Sequence, residues 1–88
     1  MKKKYRQMVQ KMKEMDTVDS DIWFLYILRC SNGTLYTGIT KDLERRLKMH
    51  NDGKASKYTR TRRPVELIYT EECEGRANAL VRELKVKA

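Results

Sequence analysis

A single histidine, a single proline, a single phenylalanine, a single tryptophan and only two cysteines occur among the 88 residues. With His50 the sole imidazole, the paired His and Cys spacings that hold zinc have no counterpart here. Cys30 and Cys73, in a chain without an export signal, read as reduced thiols rather than as a disulfide framework. The longest apolar runs, Ile22 to Leu28 among them, fall far short of the roughly 20 residues that a membrane-spanning helix needs. Met1 to Met15 opens with charge but holds no continuous apolar stretch of the signal-peptide kind, so a cytoplasmic location is expected.

What is present describes a small folded domain. Hydrophobic residues make up 40% and charged residues 36%, outside the disordered class, and the length allows one modest core. Twenty Lys and Arg against 12 Asp and Glu leave a net charge of +8, which points to a polyanionic partner.

Tyr5, Met8, Val9, Met12 and Met15 recur at helical spacing, so residues 1–21 read as a helical appendage and a turn-rich linker, with the core domain over 22–88. The appendage is either a docking segment, an arm for a partner, or a helix through which two copies associate weakly. Trp23 to Leu28 is rich in aromatic and β-branched residues and predicts a strand, Ser31-Asn32-Gly33 a turn, and Leu35-Tyr36-Thr37 the second arm of a hairpin. Gly38 falls near the end of that arm, where a missing Cβ admits a close approach. Thr40 or Asp42 caps a helix running to about Asn51, and Gly53 stops it. The basic stretch Lys54 to Pro64 reads as a loop with room for one helical turn, Val65 to Thr70 as a third strand, and Ala77, Leu80, Val81 and Leu84 as the apolar stripe of a last helix. The expected class is α+β: a small three-stranded antiparallel sheet flanked by helices in the order β-β-α-β-α, with an extra N-terminal helix.

Charge is concentrated between Lys41 and Arg63, where nine basic residues face three acids, nine minus three giving +6. Lys41, Lys54, Lys57, Arg60, Arg62 and Arg63 are candidate phosphate contacts, and Tyr58 among them is placed to stack or hydrogen-bond. The plain alternative is a solvated basic face. Helical angles put Arg46 about 60° from Leu43, at the edge of an apolar face, with Arg45 turned away. Glu83 falls about 60° from Leu80 in the same manner. Each is either a snorkelling side chain or a polar group leaning into a pocket. Tyr26 and Tyr36, on paired strands at even spacing, are able to present their hydroxyls on one side of the sheet.

Taken together, Phe24-Leu25-Tyr26, Tyr36-Thr37-Gly38, Arg46 ten positions after Tyr36, His50 four further on, and an acid in the last helix resemble the GIY-YIG nuclease domain. The resemblance covers about Trp23 to Lys87. It is strongest over Leu35 to Leu47 followed by Lys57-Tyr58-Thr59-Arg60 and Arg63-Pro64, and nearest the stand-alone, single-domain branch of that family. It implies a three-stranded antiparallel sheet and hydrolysis of DNA phosphodiesters with one divalent metal, Mg²⁺ or Mn²⁺, with RNA left open as a substrate. Of the site residues, it implies that Tyr36 contacts or deprotonates the attacking water, Arg46 neutralises the scissile phosphate, Glu83 holds the metal, and Tyr26 and His50 support the site. Phe24-Leu25 stands where the family has Gly-Ile and Thr37 where it has Ile, with both tyrosines retained. A phenol with a pKa of about 10 is a weak base at neutral pH, so Tyr36 is either activated by a nearby cation or merely orients a hydroxide held by the metal, and cleavage is expected to rise with pH above neutrality. A non-catalytic nucleic-acid-binding module on the same fold is the alternative reading, favoured by the short stretch of chain after Glu83.

Overall fold

The computed structural model describes residues 21–87; the helix and the self-association read for Met1 to Met15 lie outside them. The elements run β1 (Ile22–Arg29), β2 (Leu35–Thr40), α1 (Leu43–Asn51), a one-turn α2 (Lys57–Arg60), β3 (Glu66–Glu74) and α3 (Gly75–Lys87). The strands form one antiparallel sheet in the order β2-β1-β3.

The β1–β2 turn closes through Cys30 N–H to Thr34 O at 2.8 Å and Gly33 N–H to Cys30 O at 2.9 Å. Asn32 Oδ1 accepts from the Thr34 backbone and hydroxyl at 3.2 and 2.7 Å, and Gly33 takes the left-handed φ of 86° that side chains disfavour. This turn sets the register, Tyr26 opposite Gly38 and Leu28 opposite Tyr36. Because side chains alternate, Phe24, Tyr26, Leu28, Tyr36, Gly38 and Thr40 share one face, and Leu25, Ile27, Thr37 and Ile39 share the other.

On the first face, Tyr26, Leu28, Cys30 and Val65 form a buried cluster against which Leu43 and Leu47 of α1 pack, along with Tyr36 and Leu67. Asp42, not Thr40, caps α1 by accepting from Arg45 N–H at 3.2 Å, while the Thr40 hydroxyl accepts from Asp42 N–H at 3.1 Å. The other face is held by α3, which crosses all three strands, places Arg76 beside the Trp23 ring and donates from Arg82 to Glu71 at 2.7 and 2.9 Å. Leu25 and Ala79 are fully buried on their respective elements.

Two expectations are corrected. The third strand runs beyond Thr70 through Glu71-Glu72-Cys73-Glu74, residues of low strand propensity, because β1 offers a paired partner as far as Ile22 opposite Glu74. A bulge between Ile27 and Leu28 leaves Ile68 outside the pairing and exposed. Of the apolar stripe read for the last helix only Leu80 turns toward the core: Val81 and Leu84 are 52% and 69% exposed and Ala77 is exposed. The inward face of α3 instead carries Ala79, Leu80, Glu83 and Val86, so the helix is turned to bring an acid, rather than Leu84, toward the domain.

Candidate active site

Even spacing on paired strands places the Tyr26 and Tyr36 rings 6.5 Å apart, both packed edge-on against His50 at 5.8 and 5.1 Å between centroids. His50 is delivered from the last turn of α1, one helical turn after Arg46, and is buried. Its Nε2 lies 2.9 Å from the Tyr26 hydroxyl and its Nδ1 2.8 Å from the hydroxyl of Thr59. Thr59 belongs to α2, where Ser56 caps the turn by accepting the Thr59 N–H at 3.1 Å. Gly38 makes the arrangement sterically feasible: a Cβ there would stand 2.5 Å from the Tyr26 hydroxyl oxygen.

Electrostatics tie the remaining two candidates to this cluster. Burial raises the pKa of Tyr26, the nearby Tyr36 phenol and Glu83 carboxylate raise it further, and Arg46 opposes them. His50 is pushed down to about 4, by burial first and by the Arg46 guanidinium second, so its ring is neutral at physiological pH. Glu83 is 18% exposed and pairs with Lys87 at 3.1 Å, one turn further along α3. Of the five residues expected at the site, Tyr26, Tyr36 and His50 are in direct contact, while Arg46 and Glu83 lie near enough for their charges to act on Tyr26.

Because its folded-state pKa lies below the ordinary 6.5, His50 takes up a proton more readily in the unfolded chain. The stability it contributes is complete above pH 6.5 and is lost as pH falls toward 4, by up to about 1.4 kcal/mol per pH unit. A proton NMR titration of the His50 ring should show no inflection near pH 6.5 in the folded protein; an inflection there would contradict a neutral buried imidazole.

The basic segment divides into two kinds of residue. Tyr58 stacks on Tyr36 with centroids 6.1 Å apart and carries the Arg62 guanidinium 3.9 Å above its ring, so the segment abuts the tyrosine cluster. Arg62 also donates to Tyr58 O at 2.7 Å, and Arg63 donates to Arg60 O and Asn51 O at 2.9 and 3.3 Å. These two arginines knit the loop together. Lys41 pairs with Asp21 at 2.9 Å, whereas Lys54, Lys57 and Arg60 are exposed and form no ion pair among the described residues. Replacing Lys54, Lys57 or Arg60 singly should lower the slope of log affinity for DNA against log salt by about one unit. Replacing Arg62 or Arg63 should lower the melting temperature as well, and equal stability in all five variants would contradict this division.

Ser56, Thr59 and Asn51 are functional neighbours that sequence reasoning missed as such. Asn51 holds the loop in place by accepting from Val65 N–H at 2.8 Å and donating to Val65 O at 3.2 Å. The only sequence signal for Thr59 is a capping serine three residues before it, which predicts the turn but not the contact with His50.

Among the described residues no cluster of three or more His, Cys, Asp or Glu side chains is placed to hold a metal. Glu83 is the carboxylate whose charge acts on Tyr26. That donor set suits a hard ion such as Mg²⁺, which keeps most of its waters and takes one or two carboxylates plus substrate phosphate oxygens, and it does not suit zinc.

Residues 22–88 match the profile of the GIY-YIG catalytic domain. The chain belongs to the GIY-YIG family. This is a nuclease family. A UPF0213 protein of Desulfotalea psychrophila is 50% identical over 70 residues, which are 78% of this chain and 64% of that protein. A UPF0213 protein of Staphylococcus aureus is 49% identical over 67 residues, 76% of this chain and 82% of its own length. The solution NMR structure of a protein from E. faecalis is similar in fold, with a TM-score of 0.52 and 39% identity over 78% of this chain and 74% of that one. The three-stranded antiparallel α+β architecture is thus that of the GIY-YIG domain. Among the described residues no helix is long and apolar enough to cross a membrane.

Proposed function

We propose that this GIY-YIG domain is a metal-dependent endonuclease that hydrolyses DNA phosphodiester bonds, with branched, flapped or single-stranded DNA as candidate substrates. The observation that carries this reading is the hydrogen bond of 2.9 Å between the Tyr26 hydroxyl and a neutral, buried His50, flanked by Arg46 and Glu83.

Hydrolysis needs an oriented water, a place for its proton, and positive charge on the non-bridging oxygens as the phosphorus becomes five-coordinate. Tyr36 orients the water. Tyr26 accepts the water's proton on its oxygen while passing its own to His50 Nε2, so the new oxygen–phosphorus bond forms without a free phenolate and the proton ends on the imidazole; the bond from phosphorus to the leaving oxygen breaks, and that oxygen takes its proton from solvent. Arg46 carries the charge on the phosphate. Glu83 would hold a Mg²⁺ or Mn²⁺ ion, which supplies further neutralisation of the phosphate and the leaving oxygen. Lys41, Lys54, Lys57 and Arg60 bind the phosphate backbone of the substrate, and Tyr58 stacks on Tyr36 from that basic segment.

With His50 as the proton acceptor, cleavage should climb as the ring loses its proton near pH 4 and level off by neutrality. A rate that keeps rising from pH 7 to 9 would instead assign the base role to an ionising Tyr36. The function itself is tested by nicking of supercoiled plasmid and of flap and branched oligonucleotides in Mg²⁺, Mn²⁺ or EDTA. Metal-dependent nicking that is lost in Glu83→Ala and Tyr36→Phe is the expected result. Salt-sensitive binding without nicking on any substrate would return the chain to a non-catalytic nucleic-acid-binding module.

A further inference from the structure

The geometry points to Thr59 as a positioning residue that fixes His50 as the Nδ1–H tautomer, with the Nε2 lone pair directed at Tyr26. A neutral imidazole has one donor and one acceptor nitrogen, and its two neighbours here are both hydroxyls, each able to act in either sense. The choice is therefore made by where the hydroxyl protons go.

If Nε2 carried the hydrogen, it would donate to the Tyr26 oxygen, and the phenol proton would need another acceptor. Before substrate and its attacking water arrive, that hydroxyl has no other hydrogen-bond partner among the described residues, and Tyr26 is only 3% exposed. That tautomer leaves a donor unsatisfied in the interior, a penalty of about 1–3 kcal/mol. With the hydrogen on Nδ1, every proton finds a place. Tyr26 donates to Nε2, Nδ1 donates to the Thr59 oxygen at 2.8 Å, and the Thr59 hydroxyl donates onward to Ser56, whose carbonyl oxygen and Oγ lie 3.4 and 3.3 Å away. Thr59 is fully buried, so solvent does not compete for its hydroxyl. The chain Tyr26 to His50 to Thr59 to Ser56 thus runs in one direction and ends on the backbone of α2. An outer partner that sets the tautomer of an inner imidazole in this way also keeps its second nitrogen available.

The consequence for the rate rests on the nuclease reading above; the tautomer does not. Long-range ¹H–¹⁵N correlation of the folded protein distinguishes the protonated from the bare ring nitrogen. The wild type should show Nδ1 protonated and Nε2 bare at pH 7. Thr59→Val, which removes the hydroxyl at similar volume, should shift His50 toward the Nε2–H form, and Thr59→Ser should restore the original pattern. Where the protein cleaves DNA, Thr59→Val should lower kcat by about 10–100-fold with little change in KM, with recovery in Thr59→Ser. A wild-type His50 protonated at Nε2, or a Thr59→Val spectrum with the wild-type tautomer, would overturn the inference whether or not the protein is active. If Thr59→Val does not fold, the wild-type spectrum alone decides.

Discussion

Arg46→Ala is expected to lower single-turnover cleavage of DNA by about a hundredfold to a thousandfold, the usual consequence of removing one group that stabilises charge as it develops. Binding should suffer far less, because one phosphate contact among several changes the salt slope by only about one unit. The guanidinium has a second effect that can be measured without substrate. It lies close enough to His50 to depress its pKa and close enough to Tyr26 to favour its ionised form. Its removal should therefore let the His50 titration move upward from about 4 toward the ordinary 6.5, with burial still holding it below that value. A variant that cuts normally, or one whose His50 titration stays unchanged, would show that Arg46 does not face the cluster.

Gly38→Ala is expected to destabilise the domain and disturb the site together. The added Cβ would sit 2.5 Å from the Tyr26 oxygen, 2.7 Å from Cζ and 3.1 Å from Cε2. Tyr26 has nowhere easy to go, since its ring is buried between the sheet and His50 and its hydroxyl is fixed by Nε2. Overpacking at such a position costs about 1–3 kcal/mol, and each kcal/mol lowers the melting temperature of a domain of this size by about 4–8 °C. Activity should fall with it, because relief of the clash pulls Tyr26 off His50. Thermal denaturation gives the first effect and plasmid nicking the second. A stable, active Gly38→Ala protein would mean that the Tyr26 ring does not lie across the second strand.

The parts of the fold that local chemistry dictates were legible in the sequence. Asn32-Gly33 announced the hairpin, Asp42 was one of two residues able to cap the helix after it, and even spacing put Tyr26 and Tyr36 on one face. Helical angles also separated the half-buried Arg46, whose charge reaches Tyr26 and His50, from the exposed Arg45. Other features depend on partners distant in sequence. Glu71 to Glu74 form a strand only because β1 is long enough to pair with them. The inward face of α3 was misread because the apolar stripe of Val81 and Leu84 suggested the buried side, whereas the helix turns Ala79 and Glu83 inward. An acid on the inner face where an apolar pattern promises leucine is the kind of local inconsistency that accompanies a functional site. The contact of Thr59 with His50 links a one-turn helix to the end of another across a loop, and no periodicity records it.

Tyr26→Phe tests the central claim most directly, because it deletes one oxygen atom and with it the bond between Tyr26 and His50. Single-turnover cleavage of an end-labelled DNA substrate in Mg²⁺ should be lost or reduced by about a hundredfold or more, as for removal of a group that transfers the proton in the transition state. Circular dichroism and salt-dependent binding should remain close to those of the wild type. Cleavage at the wild-type rate by a folded Tyr26→Phe protein would contradict the account, since the proton of the attacking water would then have another destination.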